Sequence, residues 1–272
     1  MPRAMMVIGA DVYHPGPSSR SKSIAAYVAS MDENCATYHT SLREQPGERE
    51  EALVDLYEVL TKMLHSYRKR NGGFPVRILF YRDDAGETQG TCPASCSSST
   101  TPQLLMRHRA YGCHRMAGTK ELTIIHRVFQ DLHFNPALTF VLVKKRNITR
   151  LYQNQSGQRY QNPSPGTFVN VEEGKIFWLC SHYALQGTSR VPSYHILHNE
   201  QGTNCGGEMS TSEIAQMTYD LCHLHYKCPR SVSVPAPVYY ADIAADRATA
   251  LYHNGNFRGG DLNEQQSRRL FY

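Results

Sequence analysis

The chain has 272 residues, 40% of them hydrophobic and 19% charged, which is a globular composition with enough apolar material for a sizeable core. Its 29 Lys and Arg against 24 Asp and Glu leave a formal charge of +5, a mild basic excess that suits an anionic partner without dictating one. No apolar run reaches the roughly 18–20 residues of a membrane-spanning helix, and the opening MPRAMMVIGADVYHPG turns acidic too soon for a signal peptide, so neither a membrane protein nor a secreted one is expected.

The first 43 residues hold three short β-rich stretches, Met6–Val12, Ser23–Ser30 and Ala36–Leu42, separated by the turn formers HPGPSS and DEN; strands this close predict an antiparallel meander. From Glu48 to Lys69 the apolar positions Leu53, Leu56, Tyr57, Leu60, Met63, Leu64 and Tyr67 recur at three and four, predicting an amphipathic helix that Gly72, Gly73 and Pro75 end. Val76–Tyr81 (VRILFY) reads as a buried strand that stops at the turn signal RDDAG.

Residues 90–119 break the pattern, because TCPASCSSSTTP has no periodicity and MRHRAYGCHRMAG is basic without a face; a loop or a foreign insert is expected there. A helix over Glu121–Leu132 and a buried strand over Leu138–Val143 (LTFVLV) follow. Short strands at Phe177–Cys180 and Tyr194–Leu197, a helix over Thr211–His225, an extended Val232–Pro237 and a last helix over Tyr239–Tyr252 complete the prediction. Strands first, then alternating helix and strand, point to an α/β fold with a mixed sheet in one domain.

Four carboxylates stand where apolar runs stop: Asp11 after MMVIGA, Asp83 after ILFY, Asp242 after VYYA, and Glu51 at the opening of the long helix. Carboxylates at the ends of buried strands can converge on a hard cation such as Mg²⁺, which takes oxygen ligands. Each also has a plainer reading: Asp11 and Asp83 as solvated turn residues, Asp242 as a helix cap, Glu51 as an exposed helix residue. The eight cysteines are Cys35, Cys92, Cys96, Cys113, Cys180, Cys205, Cys222 and Cys228. They lack zinc-ribbon spacing, including in LCHLHYKC, and read as reduced thiols of an intracellular protein.

The blocks VIGADVYHPG, SIAAYVASMD, RILFYRD, LTFVLVKKRNITRLY, PGTFVN, LCSHYALQGTSR, YHIL, MTYDLC and PRSVSVPAPVYYAD, in this order, closely resemble the Piwi domain of eukaryotic Argonaute proteins. The resemblance covers most of residues 4–89 and 120–252 and implies a ribonuclease H-like mixed sheet flanked by helices. It implies metal-dependent cleavage (Mg²⁺ or Mn²⁺) of target RNA paired to a small guide RNA. By motif the catalytic set falls on Asp11 (GADVYHP), Glu51 (EALVDL), Asp83 (FYRD) and Asp242 (YYAD), the last giving the all-carboxylate version of some fungal and prokaryotic members. Asp84 stands where the family has Gly.

Guide-backbone contacts fall by the same resemblance on Lys145, Arg146 and Arg150, on His182 and Arg190, and on Lys227, Ser233 and Tyr239, with Arg247 at the guide 5′ phosphate. Partners implied are the guide, the complementary target RNA and silencing proteins, in the cytoplasm or the nucleus, with no membrane. PAZ and Mid domains are absent from this chain, and 90–119 replaces a helical family stretch. The expectation is therefore a Piwi domain over 1–272 carrying an atypical insert, from a truncated gene model or a short paralogue, poorly soluble alone. The rival functional readings are a non-cleaving guide- or RNA-binding module and an inactive truncated paralogue.

Overall fold

The computed structural model describes residues 4–16, 22–46, 53–83, 118–155, 159–171, 174–200, 207–253 and 260–262. Most of the segment 90–119, and with it Glu51 and Asp84, lies outside the described residues. Residues 118 and 119 are already helical.

Among the described residues nine strands form one mixed sheet, in the order β11-β3-β2-β1-β4-β5-β10-β9-β8. Its centre is β1 (Met5–Tyr13), β4 (Arg77–Asp83) and β5 (Ala137–Lys144), paired parallel. The expected meander is present: β2 (Ile24–Ser30) pairs antiparallel with β1, and β3 (Tyr38–Glu44) with β2. On the other flank β10 (Ser193–Asn199) runs antiparallel to β5, followed by β9 (Ile176–Cys180) and β8 (Thr167–Val171). A hairpin of β6 (Gln153–Gln155) and β7 (Arg159–Gln161) stands apart, and β11 (Gly260–Leu262) closes the far edge.

The central strands are near-continuous apolar runs because helices cover both sides of the sheet. Met6, Ile8, Ala10, Phe80, Leu138 and Phe140 face a core shared with α1 (Leu56–Asn71) and α2 (118–131). Met5, Val7, Leu79, Tyr81, Val141 and Val143 face a core shared with α3 (Thr211–Cys222) and α4 (Ala236–His253). Tyr81 Oη and Thr218 Oγ1, both buried, share a 2.8 Å hydrogen bond that pins β4 to α3.

Several boundaries differ from the periodicity. Helix α1 begins at Leu56 rather than Glu48, because Asp55 takes a left-handed conformation (φ 54°) that cannot continue a helix. It ends as expected at Gly72, left-handed at φ 79°, whose N–H donates to the Arg68 carbonyl. Helix α3 opens on a capping box between Ser210 and Glu213 and stops at Cys222, before the expected His225. Helix α4 starts at Ala236, so the stretch expected to be extended already turns helical at Pro237, whose missing N–H costs nothing in a first turn.

Gly9 sets how α4 meets the sheet. A Cβ there would lie 2.4 Å from the Pro237 carbonyl carbon and 2.6 Å from the Val238 nitrogen, so only glycine lets the first turn of α4 rest on β1. Beyond it, Ala241, Ala244, Ala245 and Ala248 present a fully buried stripe of small side chains that keeps the helix axis close to β1 and β2.

Candidate active site

Parallel strands deliver their C-terminal ends to one side of the sheet, where α/β folds place ligands. Asp11, two residues before the end of β1, and Asp83, the last residue of β4, lie side by side, since Ala10 pairs with Arg82, and both side chains are buried. They point to the face that α4 covers, as do Val7 and Leu79 of the same strands. Helix α4, seated by Gly9, brings Asp242 over them from its second turn. The structure thus gathers three of the four predicted catalytic residues.

A cation sits among them, and it belongs to the chain. Lys145, one residue past β5, places Nζ 2.6 Å from Asp83 Oδ2, 3.5 Å from Asp11 Oδ2 and 3.7 Å from Asp242 Oδ1. Burial works against its charge, but Asp83, Asp11 and Asp242 outweigh that and hold the ammonium protonated well above the ordinary lysine range. The resemblance assigns Lys145 to the guide backbone; here it faces inward.

The carboxylates divide their charge unequally. Burial raises Asp83, and the adjacent Asp11 charge raises it further, to about 8, against the pull of Lys145. Burial also opposes ionisation of Asp11, but Lys145 and Arg82 prevail and hold it below the usual range. Asp242 is raised by burial and by Asp11, with Lys145 opposing. Two buried carboxylates side by side do not both ionise readily, so near neutrality Asp11 carries the charge and Asp83 the proton.

Do these residues fit a divalent ion? The donors are all carboxylate oxygens, the hard set that Mg²⁺ and Mn²⁺ accept. Asp83 Oδ1 is buried without a hydrogen-bond partner among the described residues, an acceptor that a cation would satisfy. The set fits. Its oxygens are nonetheless spread around the ammonium. Among the described residues, the one His/Cys/Asp/Glu group whose ligand atoms all lie within 4.8 Å of one another is elsewhere, at His126, His198 and Glu200.

Sequence reasoning missed the support beside the site. Arg82 is buried next to Asp83, with Nε 3.4 Å from Oε1 of the buried Glu121 on α2. The same Glu121 oxygen accepts the Leu53 N–H at 3.3 Å, so the backbone two residues after Glu51 in sequence is fastened to β4 and α2. Arg82 also donates to the Asp83 carbonyl. The only signal was an arginine, Arg82, wedged between the apolar run ILFY and Asp83.

Most of the other expected guide-contact residues lie on loops at this same end of the sheet. Arg146, exposed, and Arg150, half-buried, follow β5; His182, half-buried, and Arg190, exposed, follow β9. Lys227, exposed, and Ser233, half-buried, lie between α3 and α4, while Tyr239 and Arg247 are half-buried on α4. Cross-links hold the loops together: Asn147 Nδ2 donates to the Val191 carbonyl at 3.0 Å, and Ser181 Oγ to the Val232 carbonyl at 2.6 Å. Arg150 spends donors on the Asn147 and Thr149 carbonyls at 2.8 and 2.9 Å, bracing its own loop. His182 keeps a buried Nδ1 without a hydrogen-bond partner among the described residues, and burial lowers its pKa. No helix among the described residues is long and apolar enough to cross a membrane.

Comparison with known proteins agrees with this architecture. The Piwi domain family model matches residues 1–91 and 110–253. Protein argonaute 5 of Arabidopsis thaliana is 33% identical over 290 residues, covering 97% of this chain and 26% of the relative. Protein argonaute 2 of Oryza sativa subsp. japonica is 33% identical over 258 residues, 92% of this chain and 22% of the relative. The chain therefore spans about a quarter of the length of the curated relatives it matches.

Among solved structures, Kluyveromyces polysporus Argonaute with a guide RNA matches with a TM-score of 0.68 at 24% identity, covering 92% of this chain and 27% of that one. The C-terminal lobe of a budding yeast Argonaute gives 0.71 at 23% identity, covering 98% and 54%. Both carry the ribonuclease H-like sheet expected from the motifs. With the family model spanning most of its length and plant Argonautes a third identical to it, this chain belongs to the Argonaute family and carries its Piwi domain.

Proposed function

We propose that this chain is the cutting domain of a guide-directed ribonuclease, in which Asp11, Asp83 and Asp242 hold Mg²⁺ or Mn²⁺ and Glu51 completes the set. The observation that carries the reading is the convergence of the three aspartates on one cationic group at the strand ends, with Asp83 Oδ1 left without a hydrogen-bond partner among the described residues. When bound, the metal would supply an activated water and neutralise charge on the leaving oxygen of a phosphodiester.

The chain's own residues do the rest. Asp11, already ionised, gives a permanent anionic ligand; Asp83 releases its proton to become the second; Asp242 reaches in from α4. Lys145 must withdraw its ammonium before a divalent ion enters, since both claim the same oxygens. Outside the acidic centre, Arg146, Arg190 and Lys227 offer exposed cations to phosphates, a contact that fixes register without reading bases. A guide RNA is present in the Kluyveromyces polysporus relative, which supports the same class of ligand here.

The test is single-turnover cleavage of a guide-paired target RNA by the full-length protein. The wild type cuts in Mg²⁺ to leave 3′-hydroxyl and 5′-phosphate ends, and Asp83→Ala abolishes cutting while guide binding survives. Undiminished cutting by Asp83→Ala would remove the assignment. A second reading, a guide-binding module that does not cut, draws on Lys145, whose ammonium already neutralises the carboxylates. Guide binding that persists in EDTA, with no cutting by the wild type in Mg²⁺ or Mn²⁺, would favour it.

A further inference from the structure

We propose that His126, His198 and Glu200 form a second metal site, separate from the acidic centre, that takes a divalent transition ion of the zinc type and clamps α2 to β10. The ligand atoms lie within 4.8 Å of one another. Glu200 Oε1 is 3.5 Å from His126 Nε2 and 2.6 Å from His198 Nε2. Around a tetrahedral zinc with bonds near 2.0–2.1 Å the ligand atoms stand about 3.3 Å apart, so adjustments of roughly 1 Å in side chains that are each about a third exposed would close the shell.

Two features show that the fold builds this cluster. Register between β10 and β5 slips at a bulge: Ile196 pairs with Val141, but His198 pairs with Phe140, leaving Leu197 extra. Strict alternation would have put His198 on the opposite face from Leu197; the bulge turns both toward α2, as bulges re-aim side chains. Leu197 and Phe140 belong to the α1/α2 core. Gly118 then lets α2 come down on β10, since a Cβ there would lie 2.5 Å from Leu197 Cδ1; two turns later on the same stripe, at i+8, the helix presents His126.

The second feature is an unsatisfied donor atom. His198 Nε2 is shielded from solvent and makes no hydrogen bond among the described residues, although Glu200 Oε1 is only 2.6 Å away; the pair is close but not aligned for a shared proton. A lone pair of that kind is what a metal ion takes. His126 also borders a hollow of about 330 Å³ with Phe129, Gln130, His133, Phe134 and Asn135, so one of the three ligands is reached from open space.

Two imidazoles and one carboxylate form a borderline donor set, which suits Zn²⁺ or Co²⁺ and differs from the all-carboxylate set of the acidic centre. The two sites lie on opposite faces of the sheet. Along β5 they are three residues apart, Phe140 against Val143, or roughly 10 Å.

The test is titration of the full chain with Zn²⁺ alone, in buffer holding excess Mg²⁺ so that the acidic centre is saturated, together with zinc K-edge absorption of the loaded protein. Expected are one equivalent of bound zinc, an absorption spectrum with two imidazoles and oxygen ligands, and a rise in melting temperature. His198→Ala and Glu200→Gln should each weaken binding by more than about tenfold, the loss that even an outer-shell partner produces. Asp83→Asn should leave it unchanged. Glu200→Gln keeps the side-chain volume at a partly exposed position, so it reports even if a histidine variant fails to fold. Sulfur scattering, no bound zinc, or an affinity indifferent to His198→Ala and Glu200→Gln would overturn the proposal.

Discussion

Lys145 Nζ lies 2.6 Å from Asp83 Oδ2, closer than to any other carboxylate in the acidic centre. The pair joins the residue after β5 to the last residue of β4, and it places an internal cation where the family chemistry calls for an external one. Lysine and metal are then competitors for the same oxygens, and the competition can be measured.

Replacing Lys145 with Met leaves the Asp11 charge without its counter-ion and Asp83 without the ammonium that contacts it. Breaking a buried pair from one side costs about 3–5 kcal/mol, and the quarter exposure of this side chain reduces that to about 2 kcal/mol. Lys145→Met should therefore melt earlier than the wild type in EDTA, by several degrees. Added Mg²⁺ should recover more stability in the variant than in the wild type; equal recovery in both would show that lysine and metal do not compete.

The raised Asp83 pKa makes metal binding depend on pH. The carboxyl holds a proton below about 8, and a divalent ion needs the carboxylate, so each ion displaces one proton. Mg²⁺ affinity should rise about tenfold per pH unit up to about 8 and then level off. Without metal the sign for stability is the reverse: the folded state holds this proton more tightly than the unfolded chain, so the contribution of Asp83 falls between about pH 4 and pH 8. Asp83→Asn should abolish both slopes. Isothermal titration across pH 6–9 reads the first, and melting curves in EDTA read the second.

Gly9→Ala probes how the centre is assembled. The added methyl would lie 2.4–2.6 Å from the Pro237–Val238 backbone, and overpacking of this kind costs about 1–3 kcal/mol. The helix should shift off β1, carrying Asp242 with it, so metal affinity falls along with stability in urea unfolding. Gly73→Ala, at a position with open space and no left-handed backbone, is the control and should leave both unchanged.

These relationships also mark how far the chain could be read directly. Strands β1, β2, β4 and β5 were legible because helices bury both of their faces, which leaves runs such as MMVIGA and RILFY in the sequence. Strand β8 (TFVNV), half-exposed throughout, and the three-residue β11 carry no such signature, since edge strands depend on their neighbour's hydrogen bonds rather than on apolar content. Asp11 and Asp83 could be placed from strand ends. Asp242 joined them only through the family motif, because its meeting with the strands depends on α4 landing at Gly9, more than two hundred residues away in sequence, and the inward turn of Lys145 after β5 had no signal at all. His198 was invisible for a related reason: a bulge breaks the alternation from which its direction would have been read.

At the far edge, Asp261 fastens β11. It accepts from Ser41 Oγ at 2.6 Å, Arg43 Nη2 at 3.0 Å and Lys62 Nζ at 2.9 Å. Burial opposes its ionisation, but the Ser41 and Lys62 hydrogen bonds and the Arg43 charge outweigh it and hold the carboxyl down to about 2. A depressed carboxylate contributes stability that is full above its unfolded value near 4 and is lost as pH falls toward 2. Asp261→Asn should lower the melting temperature at pH 7 and flatten its decline between pH 4 and 2. Parallel curves for the two proteins through that window would count against this account of the edge.

The most direct measurement is a Mn²⁺ titration followed by electron paramagnetic resonance, on the wild type and on Asp11→Asn, Asp83→Asn and Asp242→Asn, at pH 8 with His198→Ala as background. Mn²⁺ should bind the background protein and be displaced by Mg²⁺. Affinity should be lost in the Asp11 and Asp83 variants and weakened in the Asp242 variant, whose side chain is half-exposed. Mn²⁺ binding unaltered by all three substitutions, or absent from the background protein, would contradict the assignment of the acidic centre as the metal site.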